Sequence, residues 1–112
     1  MLDSVRKIWL ARHRVDFRCS HEGLLAHAHQ VGIKIFSGHG ILFIGRDKKK
    51  LKFLFADDNG LWVAYKKFHQ KGLKIKLDFL DQPAKTKLSK SELKMLLSGA
   101  SYHVGGKPAP WP

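Results

Sequence analysis

Basic side chains are concentrated in one stretch of the chain and meet few acidic ones there. Between positions 46 and 76 the acidic residues are Asp47, Asp57 and Asp58, and the cations are Arg46, Lys48, Lys49, Lys50, Lys52, Lys66, Lys67, Lys71, Lys74 and Lys76. Ammonium groups on flexible stems suit contacts to phosphate oxygens, which carry little base readout. The chemistry indicated by this stretch is therefore electrostatic binding of a polyanion.

The positive charge extends over the whole 112-residue chain, where 21 lysines and arginines against 9 acidic residues give a formal net charge of +12. Such an excess favours nucleic acid, an anionic surface or an acidic protein as the partner. The alternative role of the charge is solubility. With 44% hydrophobic residues, the chain has enough apolar side chains for one globular domain.

Aromatic side chains are interleaved with the cations. Trp62, Tyr65 and Phe68 lie in the same stretch, and stacking of a base on an aromatic ring is a common mode of single-strand binding. One of the three is a candidate for such stacking. The alternative, that these rings belong to the core of a sheet, stays open at this point.

Catalytic and metal-binding patterns are not evident. His27 and His29 lie at a spacing that directs the rings to different sides of a helix, whereas ligands on a helix need a spacing of about three or four. Asp57 and Asp58 would suit metal-dependent phosphodiester chemistry, but a hairpin turn explains both. Neither a nucleophile elbow nor a P-loop is found. We expect no catalytic residue, no cofactor and no metal.

Cysteine usage and hydropathy indicate the compartment. Cys19 is the only cysteine, which excludes a disulfide within one chain and favours a reducing environment. No stretch approaches the roughly 20 apolar residues of a membrane-spanning helix, and the N-terminus lacks the apolar core of a secretory signal. These features predict a cytoplasmic protein without a membrane partner.

The first third of the chain predicts a strand and a helix. Alternation over 5–11 favours a short strand. Asp16 is predicted to cap a helix whose apolar face extends to Val31, and Gly32 is predicted to end it in a left-handed conformation. The loop that follows contains His39, a candidate for binding an anion or orienting a partner.

Consecutive strands come next. The apolar run over 41–44 predicts a central strand covered on both faces, and residues 45–50 predict a hairpin with a charged tip. The strand over 51–56 returns with Lys52 on the face opposite Leu51 and Phe53. A set of lysines is expected on an open sheet face or along an edge, at positions 52, 66, 74 and 76.

A tight turn and two further strands complete the predicted meander. Asn59-Gly60 readily takes the positive φ of tight hairpins, so a turn is predicted over Asp57–Gly60. Strands are then predicted over 61–66 and 73–79.

The last predicted element is a helix. Ser89 and Glu92 have the spacing of a capping box, and Gly99 is predicted to end the helix. Consecutive strands favour an α+β fold, predicted as an antiparallel β-meander of about four to five strands with two helices packed on one face. We expect one compact domain over 1–104 and a flexible, proline-rich tail over 105–112.

As an ordered set, these motifs resemble the TnpB-type accessory proteins, which are encoded by the second open reading frame of bacterial insertion sequences of the IS66 class. Each motif alone is a weak indication of the family, whereas the order of the motifs along the chain is a strong one. The motifs are Leu10-Ala11, Asp16-Phe17-Arg18, Glu22-Gly23-Leu24, Phe36-Ser37-Gly38-His39, the basic hairpin Arg46 to Lys50, Leu51-Lys52, Asp57 to Gly60, Tyr65-Lys66-Lys67, and the helix end Leu93 to Gly99.

The chain departs from the family pattern at several positions. Lys34-Ile35 stands where the family usually has Asp-Pro, Ala56 where a tryptophan is common, and Cys19 where a basic residue is usual. Lysine replaces most arginines of the hairpin, which keeps the charge but loses the bidentate geometry of the guanidinium group. The chain is predicted to be a divergent member.

The resemblance implies a non-catalytic accessory factor in DNA transposition, with catalysis carried out by a separate, larger transposase. The implied partners are DNA, in particular the element ends, and that transposase, in the cytoplasm or at the nucleoid. The residues predicted to neutralise phosphates are Arg46, Lys48, Lys49, Lys50, Lys52, Lys66 and Lys67, with Arg18 and His39 as secondary candidates.

Two alternatives stay open. A protein-interaction module would bind the transposase without DNA, through the Trp62 surface or the tail Pro108-Ala109-Pro110-Trp111. A small nuclease would depend on a divalent metal and on Asp57 and Asp58. The oligomeric state and the preference for single or double strands stay open as well.

Overall fold

A mixed β-sheet with one helix on each face organises the chain. The computed structural model describes residues 2–69, 72–99, 102–103 and 109–110. In chain order the elements are β1 (Lys7–Ala11), α1 (His21–Gln30), a 3₁₀ turn (Ile35–Ser37), β2 (His39–Ile44), β3 (Lys50–Ala56), β4 (Leu61–Lys67), β5 (Ile75–Lys76), β6 (Ala84–Leu88), α2 (Lys90–Ser98), β7 (Tyr102–His103) and β8 (Ala109–Pro110).

The strands of the main sheet follow the order β4-β3-β2-β1-β6-β8. β2, β3 and β4 form an antiparallel meander, and β6 pairs antiparallel with β1. β1 and β2 are parallel, a pairing that needs a long crossover, here provided by the segment with α1. The mostly antiparallel sheet with two helices confirms the predicted α+β class, although the parallel pair was not predicted.

The central strand β2 explains why both faces of the sheet are covered. Its residues 40–44 are all buried, so each face of the sheet presents apolar side chains that need a cover. Leu24 of α1 packs in the same core cluster as Phe43, whereas Leu93 of α2 packs in the other cluster with Leu42. The prediction of a strand covered on both faces is confirmed, and the prediction that both helices pack on one face is wrong.

The segment over 73–79 is not the long strand that its alternation predicted. Leu73, Ile75 and Leu77 are buried in the core cluster on the α2 side, and Lys74 is exposed, so the alternation itself is confirmed. Only β5 is a strand, and it pairs with β7 outside the main sheet. The sheet position beside β1 belongs instead to β6, which was not predicted.

The start of α1 differs from the prediction. The helix begins at His21 with Ser20 at the cap position, and the Ser20 side chain makes no capping hydrogen bond. The Asp16 carboxylate instead accepts the backbone N–H of Arg18 at 2.9 Å. The prediction that Asp16 caps the helix is therefore wrong, whereas the left-handed stop at Gly32, with φ of 73°, is confirmed.

Both predicted ends of α2 are confirmed. The backbone N–H of Glu92 donates to Ser89 Oγ at 3.1 Å, and the backbone N–H of Ser89 donates to Glu92 Oε1 at 2.9 Å. This is the reciprocal capping box. Gly99 ends the helix with φ of 78°.

The turn between β3 and β4 forms where it was predicted, but with a different geometry. Within the described residues, positive φ values occur at Lys48, Gly32, Gly38 and Gly99, so the positive φ expected at Asn59-Gly60 is wrong. The turn is closed by the Asp57 N–H, which donates to the Gly60 carbonyl at 3.0 Å. Asp57 Oδ1 accepts the Asn59 N–H at 3.1 Å, as aspartate commonly does in turns.

Of the predicted tail over 105–112, the structure describes Ala109 and Pro110, which form β8 beside β6. The other tail residues, with Trp111, lie outside the described part of the chain. Among the described helices, none combines the length and the apolar character needed to cross a bilayer.

Candidate nucleic-acid interface

The β2–β3 hairpin holds its basic loop in a defined conformation. Gly45 N–H donates to the Lys50 carbonyl at 2.8 Å, and Lys48 N–H donates to the Gly45 carbonyl at 2.9 Å. Asp47 Oδ1 accepts the Lys49 N–H at 2.9 Å, and Lys48 takes a left-handed φ of 58°. The only carboxylate of the loop is thus used to shape it.

The segment that follows β4 makes backbone hydrogen bonds to the loop. Phe68 N–H donates to the Lys49 carbonyl at 2.8 Å, and Leu73 N–H donates to the Lys48 carbonyl at 2.6 Å. A methyl group on Gly72 would lie 2.6 Å from the Lys48 carbonyl oxygen, so the close approach requires glycine there. These contacts give the cations of the loop a fixed backbone.

The loop cations differ in how far their charges are engaged. Arg46 and Lys49 are exposed. Lys48 Nζ donates to the Ile75 carbonyl at 3.3 Å. Lys50 Nζ lies 3.9 Å from Asp47 Oδ2, and an ion pair of that length with partly exposed partners is weak. Arg46 and Lys49 are therefore the cations best placed to meet an anion.

The end of β4 adds a further cation to the loop. Lys67 is exposed and lies directly opposite Lys50 in the β3–β4 register. Like charges in directly opposite cross-strand positions destabilise a sheet. An anion bound beside the pair would relieve this repulsion. We call the group formed by Arg46, Lys48, Lys49, Lys50 and Lys67 the hairpin surface.

Lys66 is exposed, but its ammonium group is engaged. Nζ donates to the carbonyl oxygen of Leu97, near the end of α2, at 2.6 Å and lies 4.9 Å from the centroid of the Phe68 ring. A cation at the C-terminal end of a helix is favoured by the helix dipole. Lys66 thus connects β4 to α2 beside the hairpin surface.

Lys52 does not lie on an open face. Lys52 is only 7% exposed, and its Nζ donates to the carbonyl oxygens of Phe17 at 2.6 Å and Cys19 at 2.8 Å. Nζ also lies 5.0 Å from the centroid of the Tyr65 ring. The expectation of an exposed Lys52 is wrong, because the segment leading into α1 covers this side of β3 and uses the ammonium group as a donor.

Arg18 is exposed near the hairpin surface. Its Nη2 lies 2.7 Å from Asp16 Oδ2, with the Arg18 side chain 92% exposed. Hydrogen bonds from Arg18 lower the pKa of the Asp16 carboxyl to about 2. Val15 and Phe17 line a shallow groove together with hairpin residues, including Arg46, so the structure brings this segment and the hairpin together.

His39 is at the other end of the strand. It opens β2, whereas Arg46 follows the strand's last residue, Ile44. At about 3.3 Å per residue, the two ends of β2 are roughly 17 Å apart. Around His39 lie Arg6, Lys7 and Lys34, which were not predicted from the sequence because they are separate single cations along the chain. Only the neighbouring Phe36–His39 motif pointed to this place.

Two of the three candidate aromatic residues, Trp62 and Tyr65, lie on β4 at different distances from the hairpin surface. Trp62 is 45% exposed, stacks on Phe55 and donates from Nε1 to Asp57 Oδ2 at 2.7 Å. Tyr65 is 54% exposed and covers Lys52. Trp62 is near the turn end of β4 and therefore far from Lys67 and the hairpin surface. Tyr65 is the exposed ring closer to the cations.

The remaining candidates are the two aspartates of the β3–β4 turn and two histidines of α1. The Asp57 carboxylate serves the turn and Trp62, while Asp58 is exposed. The rings of His27 and His29 point to different sides, as predicted: His27 contacts Phe43, and His29 contacts Phe36. In the described part of the chain, no three His, Cys, Asp or Glu side chains come together as a metal would need. Lys71 and the side chain of Lys76 lie outside the described residues.

Comparison with known proteins identifies the family. A family model described as "IS66 Orf2 like protein" (TnpB_IS66) matches residues 6–105. Searches of curated proteins and of solved structures each gave no match. The matched range includes both helices and the strands β1 to β7 in full, as well as the hairpin and the Phe36–His39 motif. The chain therefore belongs to the IS66 Orf2-like family of insertion-sequence proteins.

Proposed function

We propose that this protein is a non-catalytic accessory factor of transposition that contacts DNA phosphates through the hairpin surface. The observation that carries the proposal is the fixed hairpin loop, which presents Arg46 and Lys49 to solvent while its one carboxylate is used in shaping the loop. The opposed Lys50 and Lys67 add charge at the same edge. The chain's net charge of +12 supports the attraction at longer range.

The proposed contact is directed at the DNA backbone rather than at the bases. Four of the five cations in the hairpin surface are lysines, whose ammonium groups act as point charges. Arg46 is the only guanidinium among them. Binding that consists of phosphate contacts releases counterions and is steeply salt-dependent, with little sequence preference.

The proposed partners are the DNA of the element, in particular its ends, and the larger transposase of the same element. In this arrangement the transposase carries out the chemistry. The accessory protein holds or bridges the DNA that the transposase acts on.

A salt titration of binding to duplex DNA tests the proposal. The variant Arg46→Gln/Lys49→Gln removes the two most exposed loop cations and leaves the loop's backbone hydrogen bonds intact. Lys48 is left unchanged because of its positive φ and its bond to Ile75. We expect weaker binding and a salt slope that is shallower by about two units, since each lysine or arginine contact to phosphate contributes about one.

The matched control is Lys90→Gln/Lys94→Gln, which removes the same charge from exposed positions on α2. The proposal requires this control to lose much less affinity than the hairpin variant. Equal losses would show that only the net charge matters, and the absence of binding at low salt would exclude DNA contact.

A second candidate function is supported by the exposed face of β4. β4 is an edge strand of the sheet and carries the exposed rings of Trp62 and Tyr65. Edge strands and exposed aromatic residues are common in protein interfaces. If the protein binds the transposase through this face, binding is salt-tolerant and is reduced by Trp62→Ala but not by Arg46→Gln/Lys49→Gln.

A further inference from the structure

A second cationic site lies at the opposite end of β2 from the hairpin surface. A cleft of about 480 Å³ is lined by Arg6, Lys7, Lys34, Ser37 and His39, and we call it the His39 cleft. None of these five lining residues is acidic. The three cations come from two separate segments, the entry to β1 and the segment before the 3₁₀ turn.

The backbone around Gly38 fixes the position of Arg6. The N–H groups of Arg6 and Lys7 donate to the Gly38 carbonyl at 2.7 and 3.2 Å, and Arg6 Nη2 donates to the Ser37 carbonyl at 2.8 Å. Gly38 has φ of 87°, and a methyl group there would lie 2.9 Å from Arg6 Nε. The guanidinium group is thus held against a turn whose positive φ at position 38 favours glycine.

The same turn sets the tautomer of His39. Its Nδ1 accepts the backbone N–H of Lys34 at 3.2 Å, so a neutral ring carries its proton on Nε2. Among the described residues, no hydrogen bond partner of Nε2 is found. The ring therefore brings an N–H donor to a cleft that is otherwise lined by cations and a hydroxyl group.

The cations of the cleft face one another without a counter-charge in the lining. Burial lowers the pKa of His39, and the charges of Lys7, Lys34, Arg6 and Lys85 lower it further. Lys85, on β6, lies over the ring of Trp9, which also contacts His39. Every charged group that acts on His39 here is positive, so an anion would be stabilised by all of them.

We propose that the His39 cleft binds a phosphate group of a nucleic-acid backbone, as a second anchor separate from the hairpin surface. A phosphate group offers the acceptor oxygens that match a guanidinium group, two ammonium groups and an imidazole N–H. The inference rests on the proposed function, because it takes DNA as the source of the phosphate. With anchors at both ends of β2, the protein contacts DNA at two places roughly 17 Å apart or more.

The experiment follows the His39 side-chain resonances by NMR while inorganic phosphate is added, with sodium chloride of equal ionic strength as the reference. We expect phosphate to shift these resonances and to raise the pKa of His39, because a nearby anion favours the imidazolium form. In the variant Lys7→Gln/Lys34→Gln the phosphate-dependent shift is lost. Both positions are exposed, and an unchanged thermal unfolding curve shows that the variant folds.

Duplex DNA then replaces phosphate. In the unaltered protein the duplex shifts the His39 resonances, and it still does so in Arg46→Gln/Lys49→Gln at low salt. If DNA binds but His39 does not respond, the cleft proposal is overturned and the hairpin proposal stands. If phosphate shifts His39 but DNA does not bind, the proposed function fails, and with it the assignment of the cleft's ligand to DNA. If neither ligand shifts His39, the cleft is not a phosphate site.

Discussion

The ammonium group of Lys52 contacts both the backbone carbonyl oxygen and the aromatic ring of Phe17. Lys52 Nζ donates to the Phe17 carbonyl oxygen at 2.6 Å and lies 5.4 Å from the centroid of its ring. The contact fastens the segment before α1 to the middle of β3. A lysine within the most basic part of the chain thus serves to hold the fold together.

Lys52→Met is expected to destabilise the protein without a specific loss of DNA binding. The substitution keeps an unbranched side chain but leaves the carbonyl oxygens of Phe17 and Cys19 without their donor. The free energy of unfolding should fall by about 2 kcal/mol, the usual cost of leaving buried polar groups unpaired. Urea denaturation measures this change.

Lys49→Met is the matched comparison for Lys52→Met. Lys49 is exposed, so its replacement should change the free energy of unfolding by less than about 0.5 kcal/mol, while weakening DNA binding. The reverse pattern, a stable Lys52→Met protein that no longer binds DNA, would show that Lys52 reaches the DNA.

Gly38→Ala tests the turn beside the His39 cleft. The φ of 87° is strained for any residue with a Cβ, and a methyl group would also displace Arg6, whose Nε would lie 2.9 Å away. The free energy of unfolding should therefore fall by more than about 1 kcal/mol. Gly60→Ala is the control, because its methyl group would meet no atom closer than 3.8 Å. Equal thermal shifts for the two variants would contradict this account of Gly38.

Ser89→Ala removes the side chain that caps α2. Loss of the Ser89 Oγ acceptor for the Glu92 N–H should cost about 1 kcal/mol of the free energy of unfolding. Ser20→Ala, at the cap position of α1, is expected to have a smaller effect, since the Ser20 side chain makes no capping hydrogen bond. Chemical denaturation of the two variants side by side gives the comparison.

Acid is expected to destabilise the protein through His13 and His27. Burial lowers the pKa of both side chains below 6.5, and the charge of His27 lowers the pKa of His13 further. Below pH 6.5 the unfolded chain therefore binds more protons than the folded one, so stability falls as the pH decreases from that value. The rings are 5.5 Å apart.

Thermal unfolding at pH 7.5 and at pH 5.5 measures this effect. The melting temperature should be lower at the acid pH, and the difference should be smaller in His27→Gln, which removes one of the two groups and its charge on the other. A difference that is unchanged in this variant would place the acid sensitivity elsewhere, for example at His39, whose pKa is also lowered.

The features that the sequence by itself determined are those set by neighbouring residues. The capping box of Ser89 and Glu92, the glycine stops at Gly32 and Gly99, and the hairpin with its basic loop all depend on contacts within a few positions. The apolar run over 41–44 in β2 also indicated a strand covered on both faces. The ordered motifs were sufficient to predict the family, which the match over residues 6–105 confirms.

Only the tertiary structure decided which elements meet. The pattern of β3 places Lys52 on the face opposite Phe53, but the burial of Lys52 depends on the segment at Phe17 that covers it. The sequence of β6 is an ordinary alternation of small or apolar residues with lysines, and its place beside β1 follows from long-range pairing. The His39 cleft combines cations from distant positions, which come together because β1 and β2 pair in parallel. Such juxtapositions depend on the pairing of the sheet as a whole, which local sequence patterns do not specify.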